Sequence, residues 1–215
     1  MPRSRRARTA VFFGGVVPAS ADEERLAEEV GMALAGAGFA LLHGGYNGLT
    51  EAAARGAASK GGTVTAVTLA DKHPEWGEFN PHLTDEVHLP DIGARLNHYF
   101  QAADLVVAMG GGVGTLHELS AALYYAGNIR PVPVWITGPT TLRLLAFLRR
   151  EKWLFETPTR PLGFLSQVAS AAAFAARLPR TLGGTGRAGR AGTSLTGARH
   201  PREADQTATA ARPAA

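Results

Sequence analysis

The chain has 215 residues, 45% of them hydrophobic, a length that suits one α/β domain with additional segments at its ends. It has no cysteine, which excludes disulfide bonds, thiol catalysis and cysteine-based metal sites. The formal net charge is +4, and most of the positive excess comes from arginines near the two ends. These arginines are not interleaved with aromatic residues, so we do not expect nucleic-acid binding.

Apolar residues are too scattered to form a membrane-spanning helix, which needs about 20 in succession. The basic N-terminus is followed by only a short apolar stretch, Ala10 to Phe13, and this is too short for the core of a signal peptide. We therefore expect a cytoplasmic protein that does not contact a membrane.

Short apolar runs alternate with segments of helical periodicity along the chain. The predicted strands cover residues 9–13, 39–43, 63–69, 86–89, 104–109, 131–136 and 162–165. The predicted helices cover residues 21–37, 49–60, 92–102, 119–126, 141–150 and 167–178, and residues 70–84 form a long loop or lid. This alternation predicts an α/β fold with a doubly wound, mostly parallel sheet, a Rossmann-like three-layer sandwich.

The composition changes at both ends of this pattern. Residues 1–8 form a predicted disordered basic arm, and residues 180–215 a predicted disordered tail rich in Gly, Ala and Arg. The tail has almost no large apolar side chain to offset the entropy cost of ordering it. The predicted Rossmann-like domain is therefore 9–179.

One glycine-rich stretch between a strand and a helix has the features of an anion site. It covers residues 110–118 and reads Gly-Gly-Gly-Val-Gly-Thr-Leu-His-Glu. Glycines let the backbone approach a phosphate, and the first N–H groups of the helix point towards it. A second glycine turn, residues 44–48, repeats this arrangement. Ligands of doubly wound sheets bind at the carboxyl ends of strands, so both turns could face one ligand.

Glu118 has two interpretations. The pattern places it in the first helical turn beside the phosphate, where a carboxylate suits chemistry on a phosphorylated ligand. Alternatively, Thr115 and Glu118 form a capping box, in which the glutamate only bonds the backbone of Thr115. The spacing leaves both interpretations open.

These residues resemble the LONELY GUY family, cytokinin-activating nucleoside 5′-monophosphate phosphoribohydrolases. The family hallmark P-G-G-x-G-T-x-x-E is matched by residues 110–118, with Gly110 in place of the proline. The family has an essential arginine fifteen residues before that proline, and Arg95 stands there. The family's earlier turn, G-G-G-x-x-G-L-M-G, is approximated from Gly44 onwards, and the resemblance covers residues 9–178.

The resemblance leaves two functions open, because its superfamily also contains nucleotide-binding and cofactor-carrier proteins. The first is hydrolysis of the N-glycosidic bond of a cytokinin riboside monophosphate or an AMP-like nucleotide, which releases free base and ribose 5-phosphate. The second is binding of a nucleotide or phosphorylated cofactor without turnover. Glu118 together with Arg95 favours the first function. Leu96, which replaces the lysine that usually follows the family arginine, and the changed glycine turns favour the second.

The resemblance also implies roles for individual residues. Glu118 would stabilise an oxocarbenium-like sugar or activate water, and Arg95 would balance the leaving charge or orient the substrate. Without the resemblance, Arg95 would be interpreted as a solvated helix charge. The predicted phosphate contacts are Gly44, Gly45, Gly111, Gly112, Val113, Gly114 and Thr115, and the possible base contacts are Tyr46, His98 and Tyr99.

Some further expectations concern the surroundings of the site. Trp76, in the predicted loop, either stacks on a base or only packs against the domain. The histidine spacing matches no zinc pattern, so we expect no metal and no other cofactor. The family usually forms homodimers with sites completed by the partner chain, which implies a homodimer here.

Overall fold

Seven parallel strands form the central sheet of the protein. The structure, a computed structural model, describes residues 7–16 and 20–182, the last four by their backbone only. The strand order is β4-β3-β2-β1-β5-β6-β7, and every pairing between neighbours is parallel. The strands are β1 Arg8–Phe13, β2 Phe39–His43, β3 Val64–Leu69, β4 Asp85–Leu89, β5 Leu105–Ala108, β6 Val134–Thr137 and β7 Leu165–Val168.

Helices cover both faces of this sheet, which confirms the predicted three-layer α/β fold. One core cluster joins the sheet to α1, α2 and α7, and the other joins it to α4, α5 and α6. Adjacent residues of β1 serve opposite layers, because Phe12 belongs to the first cluster and Phe13 to the second. The helices are α1 Ala21–Gly36, α2 Leu49–Ser59, α3 His73–Trp76, α4 Ile92–Ala102, α5 Val113–Asn128, α6 Pro139–Arg150 and α7 Ala171–Leu182.

The chain reverses its direction of travel across the sheet between β1 and β5. Strands β1 to β4 extend to one side, and the chain then returns to place β5 to β7 on the other. At the carboxyl ends of this central pair, the Gly15 N–H donates to the Gly110 carbonyl oxygen at 2.7 Å. The Leu49 N–H, at the start of α2, donates to the Gly15 carbonyl oxygen at 2.9 Å. Three turns that follow strands therefore meet at the switch point, where doubly wound sheets bind ligands.

The structure corrects several predicted boundaries. Helix α5 begins at Val113 rather than at residue 119, because Gly112 is extended (φ −84°, ψ −161°) and acts as its N-cap. A short helix, α3, lies in the segment predicted as a loop. The last strand and helix lie three to four residues later than predicted, because Leu165 begins β7 and Ser170 caps α7 through the Ala173 N–H.

The predicted terminal arm and tail lie mostly outside the described residues, although α7 extends to Leu182, beyond the predicted domain end at 179. Among the residues that the structure describes, no helix has the length and apolar character of a membrane span.

Helices α1 and α2 touch through their backbones. A Cβ atom added at Gly31 would lie 2.0 Å from the Ala53 carbonyl oxygen, and one at Gly56 would lie 1.9 Å from the Glu28 carbonyl oxygen. Either distance is far below van der Waals contact, so both positions require glycine for close packing.

We predict that Gly31→Ala destabilises the protein by about 1–3 kcal/mol, because the methyl group would force the two helices apart. Gly36→Ala, in the same helix, would place a methyl group more than 4 Å from every atom of the other described residues that could obstruct it. It should change stability by no more than about 1 kcal/mol, in the stabilising direction, since alanine lowers the entropy cost of helix formation. Urea unfolding of the two variants measures the difference, and equal stabilities would contradict the close helix contact.

Candidate functional site

The N-terminus of α5 presents backbone N–H groups at the switch point. Its first intrahelical hydrogen bond joins the Leu116 N–H to the Gly112 carbonyl oxygen at 3.1 Å. The N–H groups of Val113, Gly114 and Thr115 therefore have no acceptor within the helix. Gly112 carries no side chain to cap them, and Val113 is 84% exposed. This geometry suits an anion, which the helix dipole also favours.

The glycines of this turn fall into two groups. Gly110 and Gly111 are packed: a Cβ atom at Gly110 would lie 2.8 Å from Glu23 Oε1, and one at Gly111 would lie 2.2 Å from Thr115 Oγ1. At Gly112 and Gly114, no atom of the described residues lies within 4 Å of the same position. The first pair is therefore needed to form the turn, whereas a side chain on the second pair would meet no described residue.

Arg95 and Glu118 form an ion pair beside this turn. Arg95 Nη2 lies 3.4 Å from Glu118 Oε1, and the two side chains are only 12% and 16% exposed. The guanidinium also donates from Nε to the Tyr99 hydroxyl at 3.1 Å, and this hydroxyl donates to the Val67 carbonyl oxygen at 3.2 Å. Arg95 is thus held in one orientation and is not a solvated helix charge.

The position of Glu118 excludes the capping-box interpretation. The N-cap of α5 is Gly112, so Thr115 is the third residue of the helix and Glu118 lies in its second turn. Both interpretations had placed Glu118 in the first turn, which is wrong. Instead, its carboxylate faces Arg95, about one helical turn from the free N–H groups.

Burial controls the ionisation of this pair. It raises the pKa of Glu118 to about 7, although the positive charge of Arg95 opposes the shift. Burial by itself lowers the pKa of Arg95, but Tyr99 and Glu118 reverse this effect and the pKa is raised overall. Near neutral pH the site therefore contains a fixed cation and a carboxyl group that exists in both protonation states.

The glycine turn at residues 44–48 supports Arg95. A Cβ atom at Gly44 would lie 2.9 Å from Arg95 Nη2, so this glycine makes room for the guanidinium. The Gly45 N–H donates to His43 Nδ1 at 2.8 Å, and its carbonyl oxygen accepts from the Asn80 N–H at 2.9 Å. The predicted phosphate contact of Gly45 does not fit this geometry, because both of its backbone polar groups are already bonded.

His43 is a site residue that the sequence analysis missed. It is fully buried, and burial lowers its pKa to about 3, an effect to which the charge of Arg95 adds. Since Nδ1 accepts from Gly45, the imidazole proton resides on Nε2. This neutral imidazole fixes the turn that lies under Arg95. Its position at the end of β2, directly before two glycines, was the available signal.

The three possible base contacts lie in different environments. Tyr99 is 0% exposed and supports Arg95 from below, so its predicted contact with a base is wrong. Tyr46 is partly buried, and its hydroxyl bonds Thr68 Oγ1 at 2.6 Å. His98 is half-buried on α4, and within the described residues no hydrogen bond or ring contact joins it to the ion pair.

A second buried carboxylate, Glu23, was also missed. It is 1% exposed, and its Oε2 accepts from Thr140 Oγ1 at 3.0 Å. Its Oε1 has no hydrogen-bond partner among the described residues and packs against Gly110 and Gly138, at 2.8 Å from a Cβ placed on either. Ser20 accepts from the Glu23 N–H as in a capping box, but the carboxylate turns inward to the base of the α5 turn.

The strands, glycine turns and helices that form the candidate site lie within a region that matches a known protein family. A family model, that of the SLOG cluster4 family, matches residues 9–138. The chain belongs to the SLOG cluster4 family. A relative from Archaeoglobus fulgidus, described as an uncharacterized protein, is 37% identical over 130 residues, which are 58% of this chain and 83% of the relative.

Two solved structures have the same fold as this SLOG cluster4 protein. The molybdenum cofactor binding protein from Rippkaea orientalis superposes with a TM-score of 0.64 and 22% identity, over 83% of this chain and 99% of that one. The molybdenum cofactor carrier protein from Chlamydomonas reinhardtii gives a TM-score of 0.61 and 23% identity, over 82% and 99% of the two chains. At this level of identity, the likeness shows the fold alone.

No group of three or more His, Cys, Asp or Glu side chains that could hold a metal ion is found in the part of this SLOG cluster4 protein that the structure describes.

The two groups of glycines can be separated by substitution. If a phosphate binds at the N-terminus of α5, we predict that Gly114→Ala lowers the affinity for AMP by about tenfold or more, or roughly 1.4 kcal/mol, because a methyl group in the first helical turn would hinder the approach of the phosphate. Its stability should not fall, since the space is open and alanine favours helix. Gly111→Ala should instead destabilise the SLOG cluster4 protein by about 1–3 kcal/mol. Calorimetric titration and thermal unfolding measure both effects; unchanged AMP binding by Gly114→Ala would place the phosphate elsewhere.

His43 should make the stability depend on pH. Its folded-state pKa is depressed to about 3, so below about pH 6.5 the unfolded chain binds a proton that the folded protein does not. The contribution of His43 to stability should therefore be complete above pH 6.5 and fall as pH decreases, by up to about 1.4 kcal/mol per pH unit. Glu118, whose pKa is raised, contributes in the opposite direction over the same range. His43→Asn keeps an acceptor for Gly45 but cannot titrate. In urea unfolding between pH 7.5 and 4.5, the variant should gain stability relative to the parent as the pH falls below about 6.5, and parallel profiles would contradict a neutral buried His43.

Proposed function

We propose that the protein binds a small phosphorylated ligand, a nucleotide or a phosphorylated cofactor, with the phosphate on the N-terminus of α5. The observation that carries this proposal is the glycine-rich N-terminus of α5. Its first three N–H groups have no acceptor within the helix, and no described residue lies within 4 Å of a Cβ position at Gly112 or Gly114. The nearby guanidinium of Arg95 supplies a fixed positive charge for the same ligand. Phosphate binding at such a helix terminus requires no metal.

The comparisons support binding as the primary function. Proteins named for binding or carrying the molybdenum cofactor, a small phosphorylated ligand, share the fold over almost their whole length. The SLOG cluster4 family itself is consistent with a ligand-binding role. A carrier must bind the phosphate of its ligand tightly but does not have to break a bond in it. The N-terminus of α5 suits the binding of a phosphate.

A second candidate function is hydrolysis of a nucleoside 5′-monophosphate, as in the LONELY GUY family. It is favoured by the Arg95–Glu118 pair and by the pKa of Glu118, which burial raises to about 7. In this reaction ionised Glu118 takes a proton from water while the oxygen attacks the anomeric carbon of the ribose. The glycosidic C–N bond breaks, and its electron pair leaves with the base, which then takes up a proton. Arg95 orients the nucleotide or balances the charge that leaves.

In this second case the remaining family properties would also apply. They are a homodimer with sites completed by the partner chain, and a cytoplasmic location. Analytical ultracentrifugation tests the dimer directly.

The substitution Glu118→Gln separates the two functions. It removes a negative charge beside the proposed phosphate, so AMP should bind at least as tightly as to the parent protein, as measured by calorimetry. If the protein is a hydrolase, release of adenine should fall on the order of 10²-fold or more. The parent rate should also rise with pH, with a midpoint near 7, because the base form of Glu118 is needed. Chromatography of free base between pH 5.5 and 8.5 gives both readouts.

Glu29→Gln, an exposed acid on α1, is the matched control for the loss of one charge and should behave as the parent in both assays. Nucleotide binding without release of base at any pH would establish the carrier function and exclude the hydrolase. If AMP, ribose 5-phosphate and inorganic phosphate all fail to bind, the α5 site is wrong.

A further inference from the structure

A cluster of aromatic side chains covers one side of the candidate site. We call it the aromatic cap; it comprises Tyr46, His73, Trp76, Phe79 and His88. Phe79 stacks on His73 with 4.4 Å between ring centroids, and Tyr46 meets Trp76 edge to face at 5.7 Å. Three of its members, His73, Trp76 and Phe79, come from α3 and the residues directly after it, so this segment packs against the site through aromatic contacts.

The inner members of the aromatic cap are fixed by contacts with the domain. The Tyr46 hydroxyl bonds Thr68 Oγ1 at 2.6 Å and His73 Nδ1 at 3.1 Å. Phe79 lies over the glycine turn at residues 44–48, 2.7 Å from a Cβ atom placed on Gly45. These side chains complete the packing of the glycine turn at residues 44–48. Their positions are explained by this packing without a ligand.

Trp76 is different because it is only partly used in this packing. It is 44% exposed, although tryptophan is a residue that proteins usually bury to a large extent. Its ring centroid lies 5.9 Å from the guanidinium carbon of Arg95, whose Nη2 contacts Glu118. An exposed indole therefore borders the site, next to its fixed cation.

We propose that Trp76 provides the stacking surface for a flat, fused nitrogen heterocycle, the ring of a purine nucleotide or of a pterin, whose phosphate lies on the N-terminus of α5. This inference rests on the proposed function and assigns the ring-binding part of the same site. Tyr99 cannot take this role because it is 0% exposed. Stacking on an aromatic side chain tolerates different bases, since every base has a π-face. It should increase affinity on the order of 10- to 100-fold relative to a ligand without the ring.

The test compares ligands with and without a ring. Calorimetry with the full chain would use AMP, neopterin monophosphate and ribose 5-phosphate. We expect the parent protein to bind at least one of the ring ligands 10- to 100-fold more tightly than ribose 5-phosphate. Trp76→Ala should remove this preference and leave the affinity for ribose 5-phosphate unchanged. Which ring ligand is preferred distinguishes a purine from a pterin.

Two further variants control for indirect effects. Trp153→Ala removes another exposed tryptophan, 79% exposed on the segment after α6, and should retain the ring preference. Trp76→Phe keeps a stacking face and should remain within a few-fold of the parent affinity, while losing the tryptophan fluorescence quenching that the ring ligand causes in the parent.

The outcomes separate this inference from the proposed function. If ribose 5-phosphate binds but the ring ligands bind no more tightly, or if Trp76→Ala keeps the preference, the stacking role is wrong and the phosphate site stands. If none of the three ligands binds the parent, both proposals are overturned.

Discussion

The contact between the backbones of two turns, after β1 and after β5, is the constraint on which the site depends. A Cβ atom at Gly15 would lie 2.4 Å from Gly111 Cα, so neither turn tolerates a side chain at the point where they meet. The same contact extends to α2, because a Cβ atom at Gly48 would lie 2.1 Å from the Val16 carbonyl oxygen. The close approach brings the starts of α2 and α5 together, and the glycines that permit it are different from Gly112 and Gly114, the pair proposed to face a phosphate.

Two carboxylates with little exposure, Glu118 and Glu23, lie near the turn after β5, and their environments differ. Glu118 faces a cation that is itself fixed by Tyr99, so the cost of burying its charge is reduced. Glu23 has one hydroxyl partner, Thr140, and a second oxygen without a partner among the described residues. Burial of an incompletely satisfied carboxylate is costly, and an apolar residue in its place would avoid that cost. Glu23 instead packs against Gly110 and Gly138, and its Oε1 leaves no room for a Cβ atom on either glycine.

The sequence was a good guide to the regular elements and a poor one where glycines dominate. Strand β2 and helix α4 were predicted with their observed bounds, since an apolar run and a helical period define them clearly. The start of α5 was misplaced, because Gly112 to Gly114 have low helix propensity and the helix begins there only through tertiary packing. Helix α3 is a single turn and has too few residues to show a period.

The same contrast holds for the site. The Arg95–Glu118 pair could be proposed from a motif with fixed spacing, and the structure brings the two side chains together. His43 and Glu23 belong to no motif; their importance follows from burial, which only the fold determines. The spacing of Arg95 and Tyr99 correctly placed them on one helical face, but it could not show that the tyrosine lies beneath the arginine instead of beside a ligand.

A bound phosphate would itself change the chemistry of Glu118. With a pKa near 7 in the free protein, this carboxyl group is close to half ionised at neutral pH. A phosphate dianion on the first turn of α5 would lie within about one helical turn of it, and like charges raise the pKa of a carboxyl group. On the proposed function, binding would therefore favour the protonated acid, which cannot activate water. Hydrolysis would require the opposite, that Arg95 keeps the carboxylate ionised against the phosphate. We therefore propose that the opposing effects of Arg95 and of a bound phosphate on Glu118, rather than the fold, distinguish a binding site from a hydrolytic one.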